Sequence, residues 1–206
     1  MKNFQDSRLS KTTPQNIHDF LIPFEITVAI YNGTSQKGFF GVIAMEIRYI
    51  TKDDSPLEIS KIYESSWKYA YKDILPQNYL DNIQTGQWIN NLNKTGMKNL
   101  VLIEDGRIIG TASFCKARWE KYSDYGEIVS IYFLPDYIGK GYGRLLLNKC
   151  VEELKQCGFN KVLLWVLEDN HRARKVYEKN GFICSKVFLD DNIGGQDVRE
   201  LLYFLA

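Results

Sequence analysis

The stretch from Gly126 to Gly158 constrains this chain more than any other. It opens as a strand, because Ile128, Val129, Ile131, Tyr132 and Phe133 are β-branched or aromatic and Pro135-Asp136 ends the run. A turn carrying Gly139, Gly141 and Gly143 follows. An amphipathic segment then continues to Gly158, with Leu147, Val151 and Leu154 at helical spacing. A strand, a glycine turn and a helix in that order put unpaired N–H groups at the positive end of a helix dipole, an arrangement that suits phosphate. Without Cβ atoms the backbone can approach a diphosphate closely. Lys140 and Arg144 add positive charge beside the turn. Such a turn also serves as a plain tight connection. The spacing G-x-G-x-G is not the dinucleotide fingerprint, and no Gly-Lys-Ser/Thr of a Walker loop is present.

The wider pattern resembles the GNAT superfamily of acyl-CoA-dependent N-acyltransferases. That family carries Gln/Arg-x-x-Gly-x-Gly/Ala after its fourth strand, and Ile138 to Gly143 occupy those positions here. Ile138 departs from the pattern, so one side-chain contact to the phosphates is lost while the backbone cradle is kept. The second motif of the family, N-x-x-A-x-x-x-Y-x-x-x-G-F, is matched by Asn170, Ala173, Tyr177, Gly181 and Phe182. Both motifs in the right order are far more specific than either alone. The resemblance runs from Met45 to the C-terminus.

Bulk properties fit such an enzyme. A chain of 206 residues with formal net charge +1 can bury a sizeable core and shows no preference for nucleic acid or an acidic membrane. Cys115, Cys150, Cys157 and Cys184 lack metal-ligand spacing and read as reduced thiols, consistent with a cytoplasmic protein. His18 and His171 are the only histidines, which leaves a His-based triad or metal site little to work with.

Taken in order, residues 1–44 form an extension without a convincing signal peptide, and the run from Phe20 to Tyr31 is too short and interrupted to span a bilayer. Residues 45–206 form the transferase domain, and the expectation is that Met45 is the natural start. Glu46 to Thr51 reads as a strand. Ser55-Pro56 then caps a helix bearing Leu57, Ile59, Ile62, Tyr63 and Trp67. A second helix is expected from Gln77 to Asn91. The aromatics Trp67, Tyr69, Tyr71, Tyr79 and Trp88 serve a core or an acceptor pocket. Asp105-Gly106 between apolar runs marks a hairpin, and Arg118 to Tyr125 a polar loop. Val162 to Val166 is a buried strand, Asn170 opens a helix and Gly181 closes it. Strands from Phe182 to Leu189 and Arg199 to Leu205 flank a polar loop with Gly194-Gly195. The expected fold is α/β (α+β): a mixed, mostly antiparallel central sheet of about six to seven strands, flanked by about four helices.

The resemblance implies acetyl-CoA as acyl donor and a primary amine, on a small molecule or a peptide, as acceptor, attacked directly in a ternary complex. A homodimer is compatible. A lysine-like amine, with pKa about 10.4, must lose a proton before it attacks. Glu127 stands where some family members carry a catalytic glutamate; it is equally readable as a strand-end carboxylate or a seat for a cationic acceptor. Tyr177 holds the position of the family's general acid for the departing sulfur, against the plainer reading of a core tyrosine. Asn170 would hold the pantetheine arm, compatibly with capping a helix. The backbone of Ile131, Tyr132 and Phe133 would grip the pantetheine and polarise the thioester. Gly139, Lys140, Gly141, Tyr142, Gly143 and Arg144 would hold the phosphates, Tyr142 through its backbone alone. Family members that acetylate ribosomal-protein N-termini carry a glutamate where Trp165 stands, which points away from that machinery. Two other readings compete: a CoA-binding sensor or regulatory module without transfer activity, and an interaction domain whose turn only looks like the motif.

Overall fold

The computed structural model describes residues 44–205 and the backbone of Ile26–Thr27. Its strands are β1 (Ile26–Thr27), β2 (Met45–Tyr49), β3 (Lys98–Glu104), β4 (Arg107–Lys116), β5 (Gly126–Phe133), β6 (Val162–Leu167), β7 (Ile183–Ile193) and β8 (Gln196–Leu205). The helices are α1 (Pro56–Ala70), α2 (Gln77–Asp81), α3 (Ile89–Leu92), α4 (Tyr142–Gln156) and α5 (His171–Lys179). The strands form one sheet in the order β1-β2-β3-β4-β5-β6-β8-β7. Among the described residues only β5 and β6 pair in parallel. The mixed, mostly antiparallel sheet is therefore as expected, with the two-residue β1 added at its edge. The expected 1–44 extension, and with it the Met45 start, falls outside the described residues apart from Ala44 and the pairing of Ile26–Thr27 with Ile47 and Glu46.

Local chemistry sets most elements. The Ser55 hydroxyl accepts from the Glu58 N–H at 3.3 Å and Pro56 occupies the first turn of α1, a cap worth about 1 kcal/mol. Asp105 and Gly106 both take positive φ, 49° and 78°, which matches the twist of the β3–β4 hairpin. Two expectations needed correction. The helix over 77–91 is split into α2, which already ends at Asp81, and α3, with Gly86 at φ 85° in the stretch between them. The polar loop around Gly194-Gly195 is instead a tight hairpin, both glycines at positive φ, so β7 and β8 extend to its tip.

Helices cover both faces. The α1–α3 layer packs Ile59, Tyr63, Leu80 and Leu92 over Val101, Ile103, Leu167 and Val198. On the other face, α4 and α5 cover Leu100, Leu102, Phe114, Ile128 and Leu164.

The feature that makes a site is where β5 and β6 part. They pair only over Gly126–Ile128 with Val162–Leu164. At that point Val129 bulges out of the β4 ladder, since Ser113 faces Ser130 while Phe114 faces Ile128. Tyr63 pins α1 over the bulge, its hydroxyl 2.8 Å from Ser113 Oγ and 3.2 Å from Ser130 Oγ. Beyond it β5 continues with β4 and β6 with β8, so a wedge opens between Val129–Phe133 and Trp165–Leu167.

Candidate active site

The wedge is a cleft of about 510 Å³ that joins the two faces of the sheet. Ile131, Tyr132 and Phe133 line it from β5, Gly139, Gly141, Gly143 and Arg144 from the turn and the start of α4, and Asn170 and Tyr177 from the cap and body of α5. Residues chosen from two separate sequence motifs thus meet at one cavity.

The glycine turn is open. Gly139 and Gly141 take φ 87° and 89°, and a Cβ built on either would meet nothing within 4 Å. None of the N–H groups from Gly139 to Gly143 finds an acceptor among the described residues. Unpaired donors in series at a helix N-terminus suit a diphosphate and are costly to leave dry. Arg144 adds its charge at the cleft wall. Lys140 and Tyr142 do not line it. The Lys140 ammonium lies 4.8 Å from the centre of the Tyr137 ring. The Tyr142 hydroxyl instead donates to Glu104, which pushes its pKa up to about 12. Tyr142 therefore has only its main chain to offer the turn.

Tyr177 packs its ring 6.0 Å from Phe182 and 6.3 Å from Tyr203. Its hydroxyl has no hydrogen-bond partner among the described residues. Burial pushes this phenol upward, so it stays protonated. Asn170 caps α5, its Oδ1 accepting from the Ala173 N–H at 3.2 Å, and also faces the cleft.

Glu127 stands apart from the cleft. It is fully buried, and both its oxygens are engaged by Arg118: Nη2 donates to Oε1 at 2.6 Å, Nε lies 3.1 Å from each oxygen, and the Arg118 backbone N–H donates to Oε2 at 2.9 Å. Arg118, not Glu127, lines the cavity. Both oxygens of this carboxylate are thus committed to Arg118, whose side chain and not Glu127 faces the cavity.

The opposite end of the cleft is walled by Trp67, Tyr71, Arg118, Trp165 and Glu200. Trp67 donates through Nε1 to the Tyr132 hydroxyl at 2.9 Å, fixing both rings. Of the aromatics singled out above, Trp67 and Tyr71 reach the cavity, whereas Tyr79 and Trp88 belong to the core and Tyr69 is exposed. Arg118 and Glu200 were missed. Arg118 sits in what reads as a polar loop. Glu200 had a signal: in Val198-Arg-Glu-Leu-Leu202, strict alternation puts it on the same side as buried Val198 and Leu202.

Comparison with known proteins now bears on this geometry. The family model described as Acetyltransferase (GNAT) family matches residues 58–182. The uncharacterized N-acetyltransferase YuaI of Bacillus subtilis (strain 168) is 33% identical over 154 residues, spanning 70% of this chain and 89% of that protein. The L-amino acid N-acyltransferase MnaT of Escherichia coli (strain K12) is 28% identical over 143 residues, 68% of this chain and 81% of that protein. Among solved structures, the PaiA N-acetyltransferase of Thermoplasma acidophilum in complex with coenzyme A superposes with TM-score 0.63 at 20% identity, over 78% of this chain and 97% of that one. The yncA structure from Salmonella typhimurium with its cofactor acetyl-CoA gives 0.59 at 24%, over 78% and 92%; at these identities both speak for the fold. With both motifs gathered at one cleft and the family model spanning most of the described chain, this protein belongs to the acetyltransferase (GNAT) family.

Proposed function

We propose that the chain moves an acetyl group from acetyl-CoA to a primary amine, both bound in the cleft at once. The observation that carries this reading is the run of unpaired N–H groups from Gly139 to Gly143, opening onto the same cavity as Tyr177. When bound, acetyl-CoA supplies an activated thioester. The glycine turn and Arg144 hold its diphosphate, while the main chain of Ile131 to Phe133, on the strand edge released by β6, lies along its pantetheine arm. Asn170 steadies that arm beside its capping role. Tyr177 donates its phenolic proton to the departing sulfur, a role its protonated state and unpartnered hydroxyl fit. Glu127 acts as a positioning residue, holding Arg118 at the acceptor end.

The acceptor amine belongs to a small molecule or a protein. Relatives act on both kinds, by name an L-amino acid N-acyltransferase and a ribosomal protein bS18-alanine N-acetyltransferase. The four free cysteines fit a reducing cytoplasmic setting, and no helix among the described residues is long and apolar enough to cross a membrane. A pure CoA sensor has less support, because the same cleft is also lined by Arg118 and Glu200, which the donor site does not account for. Calorimetric titration with acetyl-CoA and thiol release in the presence of amines test the reading. Binding with amine-dependent release is expected; absence of binding would refute it.

A further inference from the structure

Two polar groups of residues that line the cleft have no hydrogen-bond partner among the described residues. The Glu200 carboxylate, half-buried on β8, accepts no hydrogen bond and forms no ion pair among the described residues. Its neighbour Arg199 turns outward to Asp190, at 2.7 Å. The Trp165 indole N–H is shut off from water and likewise unmatched. Trp67, Tyr71 and Trp165 surround this end with aromatic rings, and the charge of Arg118 is already offset by Glu127. Among the described residues Glu200 is the one carboxylate that lines the cleft, whose cations besides Arg118 are Arg144, Arg172 and Lys179. A carboxylate in such a place is stabilised by a cation, and ring faces favour the same guest.

We propose that Glu200 is a catalytic residue: it receives the ammonium of the acceptor and takes the proton that must leave before attack. The acceptor is accordingly a primary amine that is charged in solution, with a body that packs against the Trp67, Tyr71 and Trp165 rings. This rests on the acetyltransferase reading. One proton passes from nitrogen to the Glu200 carboxylate and on to solvent. The nitrogen lone pair forms the N–C bond as the C–S bond breaks, the Tyr177 proton goes to sulfur, and the second nitrogen proton restores the phenol. Amide, thiol and one released proton account for every atom. The groups facing Glu200 bear on its basicity: burial and the Asp191 and Glu127 charges raise its pKa, and Arg118 opposes them. A carboxyl whose pKa is raised is a better base than an ordinary one.

The test uses the full chain with tyramine, spermidine and Nα-acetyl-lysine amide as probes. Glu200→Gln is expected to bind acetyl-CoA as the wild type does and to lose about 10²-fold or more in kcat with the best probe. It should also lose the acidic limb of the kcat/KM pH profile, and Glu200→Asp should restore part of both. Trp165→Phe should raise KM more than it lowers kcat. Unchanged kcat or a retained acidic limb in Glu200→Gln overturns the assignment, as does failure of every probe while acetyl-CoA binds. If the wild type does not bind acetyl-CoA, the acetyltransferase reading itself fails instead.

Discussion

Tyr177 lines the cleft from α5 with its ring packed against Phe182 and Tyr203, and no described residue takes its hydroxyl. Removing only that oxygen leaves the packing intact. Tyr177→Phe is therefore expected to lower kcat by about 10²-fold or more, with acetyl-CoA affinity unchanged and stability altered by at most about 0.5 kcal/mol. Steady-state kinetics, calorimetry and a urea melt together check this. Glu127 differs in kind, because its carboxylate is spent on Arg118. Deleting one partner of a buried pair costs about 3–5 kcal/mol. Here the Arg118 side chain is 46% exposed, so water can take over part of the lost contact. Glu127→Ala should accordingly cost about 1–3 kcal/mol in the same melt, smaller than for a fully buried pair. Its loss of turnover should track disorder in Arg118 and not loss of a base, so the acidic limb of the pH profile should persist.

At the level of elements, the glycine turn carries the strongest expectation. Gly141 caps α4 at φ 89°, and Gly158 follows the same helix at φ 91°; neither has anything within 4 Å of an added Cβ. Alanine at either position should cost about 1–2 kcal/mol through left-handed strain. Only Gly141→Ala should also weaken acetyl-CoA binding, because Gly141 lines the cleft and Gly158 does not. Parallel melts and titrations of the two variants separate strain from obstruction. The strand, turn and helix were legible in the sequence because each is set by neighbours a few residues away, as is the Asp105-Gly106 hairpin. The gap between α2 and α3 was not, since the apolar period runs on across it and a glycine such as Gly86 inside that run does not announce a left-handed conformation. Glu127 was misjudged for a longer-range reason. Which strand-end side chains reach the cleft depends on the bulge at Val129 and on β6 leaving β5 after Leu164, both properties of the assembled sheet. Arg118 became visible only once Glu127 was seen to hold it.

For the whole molecule, the sheet is split where it would otherwise be continuous, and the cleft lies in that split. Val129–Phe133 belongs to the β4 side, Trp165–Leu167 to the β8 side, and α1, α4 and α5 close the ends. A donor lying across that split would contact both halves, so its binding should stabilise the chain as a unit. At about a hundred times Kd, a ligand specific for the folded state adds about 2.7 kcal/mol. In a chain of this size that corresponds to a rise in Tm of about 5–10 °C. Gly141→Asp puts a carboxylate against the diphosphate and should abolish most of the rise. Tyr177→Phe should keep all of it while losing turnover. Thermal melts of the three proteins with and without acetyl-CoA therefore distinguish gripping the donor from using it. An equal shift in Gly141→Asp and the wild type would mean that the turn is not where the diphosphate is held.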